Sequence, residues 1–472
     1  MAAGLAVGAG VALAALKRTR RSARAARTLE LARASSRMGA GWAAHRARRV
    51  FASAARREEL DASFELRSAE EVAAVLGNMK GVMMKLGQMA SYVDESVPEP
   101  IRNAMAGLLQ DAPPMAPELA ASVVERELGA PPERVFLEWD PVPIAAASIG
   151  QVHRAITRDD LAVAVKVQYP GVDEAIAADL DNYDFFVNLF STLFPGSDVG
   201  PFIDEIRVRV QEELDYRQEA DNQRLFADYY EGHPFIHIPK VLDELSTGRV
   251  LTTELVTGAR FAELDSWPQE ERNLAAEAID RFVFRSLYRL HAFNGDPHPG
   301  NYLFHGGGQV TFLDFGLVKR FTPAEIDMFE RMAQALVVRR DGGAYRTLLE
   351  EAAVLKPGSG MTEEQIIDYF GYYYDPVMED RDYTFTLEYA SKAMEKLLPV
   401  GPGASPQIRR FGNLPPAFAI LQRINVGMTA VMAHLGATAN WRRIGEELWV
   451  FTDAAPSTEL GRKERAWLDA RR

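Results

Sequence analysis

Asp296, Asn301 five positions on, and the triplet Asp314-Phe315-Gly316 thirteen positions beyond that stand at the spacing of a kinase-type phosphoryl-transfer centre. In that chemistry Asp296 orients or deprotonates the nucleophile. Asn301 and Asp314 share Mg²⁺ on a nucleotide triphosphate. The protein then has little covalent work to do. It supplies charge neutralisation and positioning, which three oxygen-bearing side chains can give. An isolated Asp-Phe-Gly is more often a strand running into an Asp/Gly turn. The two motifs together, with Asp314 following the apolar stretch Val310 to Leu313, are the stronger signal.

The elements that must position these residues are legible upstream. Val163 to Lys166 reads as an apolar strand offering a lysine, the residue that in a kinase pairs with the α/β-phosphates and with a helix glutamate. A lysine ending a strand is otherwise a solvated edge charge. A helical stretch rich in acids, Ile206 to Phe226, supplies Glu219 as the partner. Before the strand, where a glycine-rich phosphate loop is expected, stand Ala145, Ala146, Ala147, Ser148, Ile149, Gly150 and Gln151. Small residues still let backbone N–H groups approach phosphates. Alanine disfavours the positive-φ conformations open to glycine, so this loop is expected to be stiffer. Leu251 to Val256 reads as the last strand before a hinge, with Glu254 at the nucleotide edge.

At 472 residues the chain exceeds one simple core, and a two-lobed enzyme with extensions fits. The absence of cysteine excludes disulfides and thiolate metal sites. The eight histidines show no metal-ligand spacing, and His298 is expected to pack or hydrogen-bond. Residues 1–57 hold thirteen Lys/Arg and one acid, Glu30. Removing these from the totals of 53 basic and 66 acidic residues leaves 40 against 65, a net of −25 for the body. A uniform nucleic-acid binder would not show this split; a basic arm on an acidic body points to a local anionic partner for the arm, with nucleic acid the weaker alternative to a membrane surface.

Along the chain, the uncharged run Ala2 to Leu16 is shorter than the roughly 20 residues of a membrane-spanning helix. It reads either as an Ala/Gly leader or as a shallow anchor. In the second case Lys17, Arg18, Arg20, Arg21, Arg24 and Arg27 meet anionic lipid on the cytoplasmic side, a peripheral placement. The expected organisation is a basic arm over 1–57, a helical extension over 58–130, an N-lobe over 131–256, a helical C-lobe over 257–456 and a charged, frayed tail over 457–472. Residues 341–343, 357–360 and 398–406 read as interhelical loops. Thr322-Pro323-Ala324-Glu325 is an N-cap signature, so a helix should begin about six residues past Gly316. That leaves little room for a polypeptide-binding platform. Gly295, where many protein kinases carry an arginine, points the same way.

Over roughly residues 70–330 the chain resembles the UbiB/AarF/ADCK family of atypical kinases. Lys85-Leu86-Gly87-Gln88 is similar to the family's K-x-G-Q motif, and Leu109 to Pro114 also matches. Ala145 to His153 looks like its alanine-rich loop, and Glu213-Leu214-Asp215 like its E-x-D motif. The resemblance implies an α+β, two-lobed protein-kinase-like fold with an added N-terminal helical layer and a mostly helical C-lobe. It implies that Lys85 and Gln88 lie over the active site and that Glu213 and Asp215 hold that layer. It also implies binding of ATP or ADP with Mg²⁺, and support of isoprenoid-quinone biosynthesis at membranes, with lipid or quinone intermediates and biosynthetic proteins as partners. Two other readings stay open: a nucleotide-gated scaffold with little turnover, and a small-molecule phosphotransferase, against which the K-x-G-Q extension argues. None of these motifs specifies an oligomeric state.

Overall fold

The structure, a computed structural model, describes residues 115–147, 149–173, 214–294, 298–396, 408, 412, 413 and 415–471. The chain divides into two compact units. One comprises Met1–Met115, Ala146–Gly150 and Tyr169–Gln211. Among its described residues, the Tyr169 N–H donates to the Ile149 carbonyl at 2.9 Å. The other comprises Ala116–Ala145, Gln151–Gln168 and Glu212–Arg472, and mixes helix and sheet.

In this second unit helix α1 (Pro117–Leu128) starts on a proline, and Gly129 closes it at φ +79°, donating its N–H to Glu125. Its apolar face buries Ala120, Val123 and Val124. Strand β1 (Glu138–Trp139) and a short β2 (Ala145–Ala147), of which Ala146 and Ala147 fall in the first unit, precede β3 (Gly150–Ile156), in the second unit from Gln151, and β4 (Ala162–Gln168). Alternation along β4 sends Val163, Val165 and Val167 into the core and turns Lys166 to the opposite face. Helix α2 (Tyr216–Tyr229) follows, then β5 (Ile236–His237) and β6 (Val250–Glu254). β6 pairs antiparallel with β4, setting Lys166 opposite Leu251, and the sheet runs β1-β3-β4-β6.

Two ladders then frame the motif segments. β7 (Ala292–Asn294) pairs with β10 (Val318–Arg320), and β8 (Tyr302–Phe304) pairs with β9 (Val310–Phe312). β9 also lies parallel to β5. Asn294 ends β7 and Asn301 stands directly before β8, while Asp314 to Gly316 follow β9 and lead into β10. Asn294, Asn301 and the Asp-Phe-Gly triplet are therefore all set by the ends of the same two ladders.

The rest is mostly helical, with one short antiparallel pair, Tyr383–Thr384 against Thr438–Ala439: α3 (Gln269–Arg285), α4 (Pro323–Ala333), α5 (Gly342–Glu351), α6 (Glu363–Phe370), α7 (Leu387–Glu395), α8 (Pro416–Leu435), α9 (Trp441–Leu448) and α10 (Glu459–Ala470). The expected cap at α4 is present: Thr322 accepts the Glu325 N–H, and Glu325 accepts the Thr322 N–H at 2.7 Å. Two expectations are corrected. Residues 341–343 are not a loop, because Asp341 caps α5 by accepting the Ala344 N–H at 2.8 Å, so Gly342 and Gly343 open the helix. The stretch from Ser457 is not frayed. Thr458 caps α10, and the helix buries Glu464 against arginines of α3. Among the described residues, no helix is long and apolar enough to cross a membrane.

Candidate active site

Lys166 projects from β4, and its Nζ sits 2.8 Å from each carboxylate oxygen of Glu219 on α2. Burial pulls the lysine pKa down, but the charge of Glu219 and then of Asp314 holds it well above the usual lysine range. Lys166 therefore stays a cation at any physiological pH. The Tyr216 ring lies under it at 5.1 Å.

Helix α2 is the organiser of the site. Its start is fixed by Asp215, whose carboxylate accepts the Arg217 N–H at 3.1 Å. Gln168, at the end of β4, donates to the Leu214 carbonyl at 2.8 Å, joining the lysine strand to the glutamate helix. Glu219, Asn222 and Phe226, spaced three and four apart, share one helix face. Asn222 donates its amide to the Phe315 carbonyl at 3.1 Å. Phe226 packs on the fully buried Phe315 with ring centroids 5.0 Å apart. Phe226 also meets Phe282 of α3 at 5.6 Å, which stacks on Phe312 of β9 at 3.7 Å. One helix face thus reads both the strand lysine and the Asp-Phe-Gly backbone.

Asp314 is oriented by its own turn. The Gly316 N–H donates to Asp314 Oδ1 at 2.8 Å. A Cβ on Gly316 would stand 3.2 Å from that oxygen and 3.6 Å from Glu219 Oε2, so glycine permits the close approach. Asn294 donates its amide to the Asp314 carbonyl. Sequence reading missed Asn294; its only signal was a polar residue ending an apolar run just before the first motif. On the other segment, Asn301 closes a single 3₁₀ turn, Pro299–Asn301. His298 accepts the Gly300 N–H on Nδ1 at 3.0 Å, in line with the hydrogen-bonding role expected for it. The Leu313 N–H donates to the Asn301 carbonyl at 3.0 Å, tying the two motif segments together one residue before Asp314.

Glu254 ends β6, and its carboxylate lies 3.3 Å from His237 Nε2. Its backbone N–H is taken by the Lys240 carbonyl. The ladder puts it opposite Val163, three residues from Lys166, or roughly 10 Å along the strand. Asp215 serves as the cap of α2. Ala145, Ala146 and Ala147 form a strand rather than an open loop, and neither they nor Gly150 adopt positive φ. Gln151 is buried, and its amide nitrogen lies 2.8 Å from His153 Nε2. His153 Nδ1 meets the Asp140 carbonyl at 2.9 Å, so Nδ1 carries the proton and Nε2 accepts from Gln151. Burial lowers the His153 pKa, which suits a neutral ring there. Lys85, Gln88, Ser148, Glu213 and Asp296 lie outside the described residues.

A lysine–glutamate pair joined by one helix to an Asp-Phe-Gly, on this α+β frame, defines a kinase-like domain. Residues 107–347 match the ABC1 atypical kinase-like domain, just over half of the 472-residue chain, and the chain belongs to this family. It is 32% identical over 283 residues to the atypical kinase COQ8B, mitochondrial, of Rattus norvegicus, covering 60% of this chain and 53% of that one. It is 31% identical over 269 residues to the atypical kinase COQ8, mitochondrial, of Saccharomyces cerevisiae, covering 57% and 54%. The chain thus spans about half the length of these relatives. A solved structure of Rv3197 from Mycobacterium tuberculosis, in complex with erythromycin, is similar at 32% identity and TM-score 0.60. That likeness covers 83% of this chain and 98% of the other.

Proposed function

We propose that this protein binds a Mg²⁺–adenine nucleotide and hydrolyses it, or transfers its γ-phosphoryl group, at an anionic membrane surface in support of isoprenoid-quinone or other lipid metabolism. The observation that carries the reading is the Lys166–Glu219 pair, held by the same helix that hydrogen-bonds and packs against Asp314-Phe315-Gly316. The donor set fits Mg²⁺: Asp314 and Asn301 offer hard oxygens, and their segments are joined through Leu313. When bound, the metal neutralises phosphate charge. Lys166 is a permanent cation for the α/β-phosphates, and Glu219 holds it in place. The names of the mitochondrial COQ8 relatives favour the quinone assignment. Lys85 and Gln88 are proposed to cover the site. The extended, alanine-built Ala145–Ala147 favours a slow nucleotide cycle over fast protein phosphorylation.

Asp296 is proposed to orient the nucleophile. Asp296→Asn should leave Mg²⁺-nucleotide affinity near wild type and lower turnover roughly 100-fold or more. Single-turnover kinetics beside equilibrium binding checks this. Unchanged turnover would remove Asp296 from the chemistry.

The arm over residues 1–57 is proposed to hold the protein to anionic lipid. Each Lys/Arg near such a surface is worth on the order of 1 kcal/mol, so thirteen of them outweigh a shallow apolar insertion. Binding to anionic vesicles should weaken steeply as salt rises. A chain lacking residues 1–57 should no longer co-sediment. Equal co-sedimentation of the shortened chain would assign the anchor elsewhere.

A further inference from the structure

The helix that carries Glu219 ends at Tyr229, and the last carbonyls of a helix have no partners within it. Here one of them, Asp228, and the turn just beyond the helix, at Glu231, take donors from a distant part of the chain. The Trp467 indole N–H donates to the Glu231 carbonyl at 3.1 Å. The Arg471 guanidinium donates to the same carbonyl at 2.8 Å and to the Asp228 carbonyl at 3.4 Å. It lies over the Trp467 ring at 4.8 Å, so the two donors form one unit. The Trp467 ring also packs against His233 at 4.5 Å and Tyr229 at 6.1 Å. A cation at this end of α2 further complements the helix dipole.

Helix α10, which carries both residues, is itself fixed elsewhere. Its Glu464 is 1% exposed and accepts from Arg281 at 2.8 Å and from Arg285 at 2.5 Å, both on α3. Its cap Thr458 accepts from Arg281 at 3.1 Å. One end of α10 is therefore locked to the helical core, and the other reaches the end of α2. The helix α2 is a rod. Glu219 lies ten residues before Tyr229, roughly 15 Å along the axis. In between, α2 is held to the Asp-Phe-Gly turn by Asn222 and Phe226, a natural pivot.

We propose that Trp467 and Arg471 are positioning residues: α10 grips the end of α2 and so keeps Glu219 against Lys166. This rests on the reading of Lys166–Glu219 as a nucleotide-positioning pair. Neither residue contacts Lys166 or Glu219, so the effect passes through the rod. A helix that only added stability would cost stability when altered, without acting through Glu219.

The test is a double-mutant cycle in the full-length chain. Trp467→Phe keeps the ring and removes the donor; Arg471→Ala removes the exposed guanidinium. The pair of substitutions is made in wild type and in Glu219→Gln, with turnover, nucleotide affinity and thermal unfolding recorded. In wild type, kcat should fall about tenfold, since small displacements of positioned groups carry costs of this size. In Glu219→Gln, where the ion pair is already broken, the same substitutions should change kcat less than about twofold. An equal loss in both backgrounds, or no loss in wild type, overturns the positioning role alone. A wild-type chain without turnover, or Glu219→Gln with full turnover, overturns the underlying reading of the pair and the positioning role with it.

Discussion

Asp314→Asn should lose Mg²⁺-dependent nucleotide binding, with affinity falling on the order of 100-fold or more. The substitution is close to isosteric. An asparagine oxygen can still accept the Gly316 N–H that Asp314 Oδ1 accepts at 2.8 Å, and the Asn294 bond goes to the backbone carbonyl, so the turn should persist. What disappears is the negative charge. Mg²⁺ gives up water reluctantly and is held by anionic oxygens, so a neutral amide is a poor replacement. The loss should also be felt at Lys166, whose cationic form Asp314 supports after Glu219. Calorimetric titration of nucleotide with and without Mg²⁺ gives the answer directly. Wild-type affinity in Asp314→Asn would place the metal elsewhere.

The second large effect is on stability. Arg281 is completely buried, and its guanidinium donates at 2.8 Å to each of Glu277, Glu447 and Glu464. Removing it by Arg281→Ala takes the shared cation from three buried carboxylates, leaving Glu464 to Arg285 and Glu277 and Glu447 with neutral donors alone. Such a deletion of one partner from a buried ion cluster costs about 3–5 kcal/mol. Denaturant unfolding should therefore show a strongly lowered midpoint. A change under about 1 kcal/mol would mean the carboxylates find other partners. The cluster also carries a pH signature. Burial pushes the Glu464 carboxyl up, but His233, Arg285 and Arg281 outweigh it and bring its pKa from 4.5 to about 2. A folded pKa below the unfolded one stabilises the ionised state. That stability is complete above about pH 4.5 and is lost as pH falls toward about 2, a difference on the order of 3 kcal/mol. Glu464→Gln should flatten the acid limb of the stability curve in that window. An unchanged limb would assign it to other carboxylates.

Where the sequence could be read, the signals were local. β4 follows from the alternation that buries Val163, Val165 and Val167 and leaves Lys166 on the other face. The cap at Thr322 and Glu325 lies within four residues, and it appears where expected. The Lys166–Glu219 pair is long-range, yet legible, because its two residue types sit on elements of fixed order in a known chemistry. What escaped was set by partners far off in the chain. Residues 457–472 look like a charged tail because the arginines that bury Glu464 are 179 and 183 positions away. Trp467 and Arg471 look like surface residues for the same reason, their acceptors being the carbonyls of Asp228 and Glu231. Gly342 and Gly343 read as a loop by composition, but one side-chain cap from Asp341 starts the helix ahead of them. Glu254 ends β6 with its carboxylate beside His237, a partner that its place at a strand end does not signal.

The most direct test of a nucleotide-turnover enzyme built on Lys166, Asn301 and Asp314 is phosphate release by the full-length chain. It is measured with ATP, Mg²⁺ and anionic vesicles, beside Asp314→Asn under the same conditions. The expected result is release by wild type that stops on chelation of the metal and is absent from Asp314→Asn. Equal release by both would contradict the assignment of the centre, and nucleotide binding by wild type with neither phosphate released nor ADP formed would make the protein a nucleotide-gated scaffold instead.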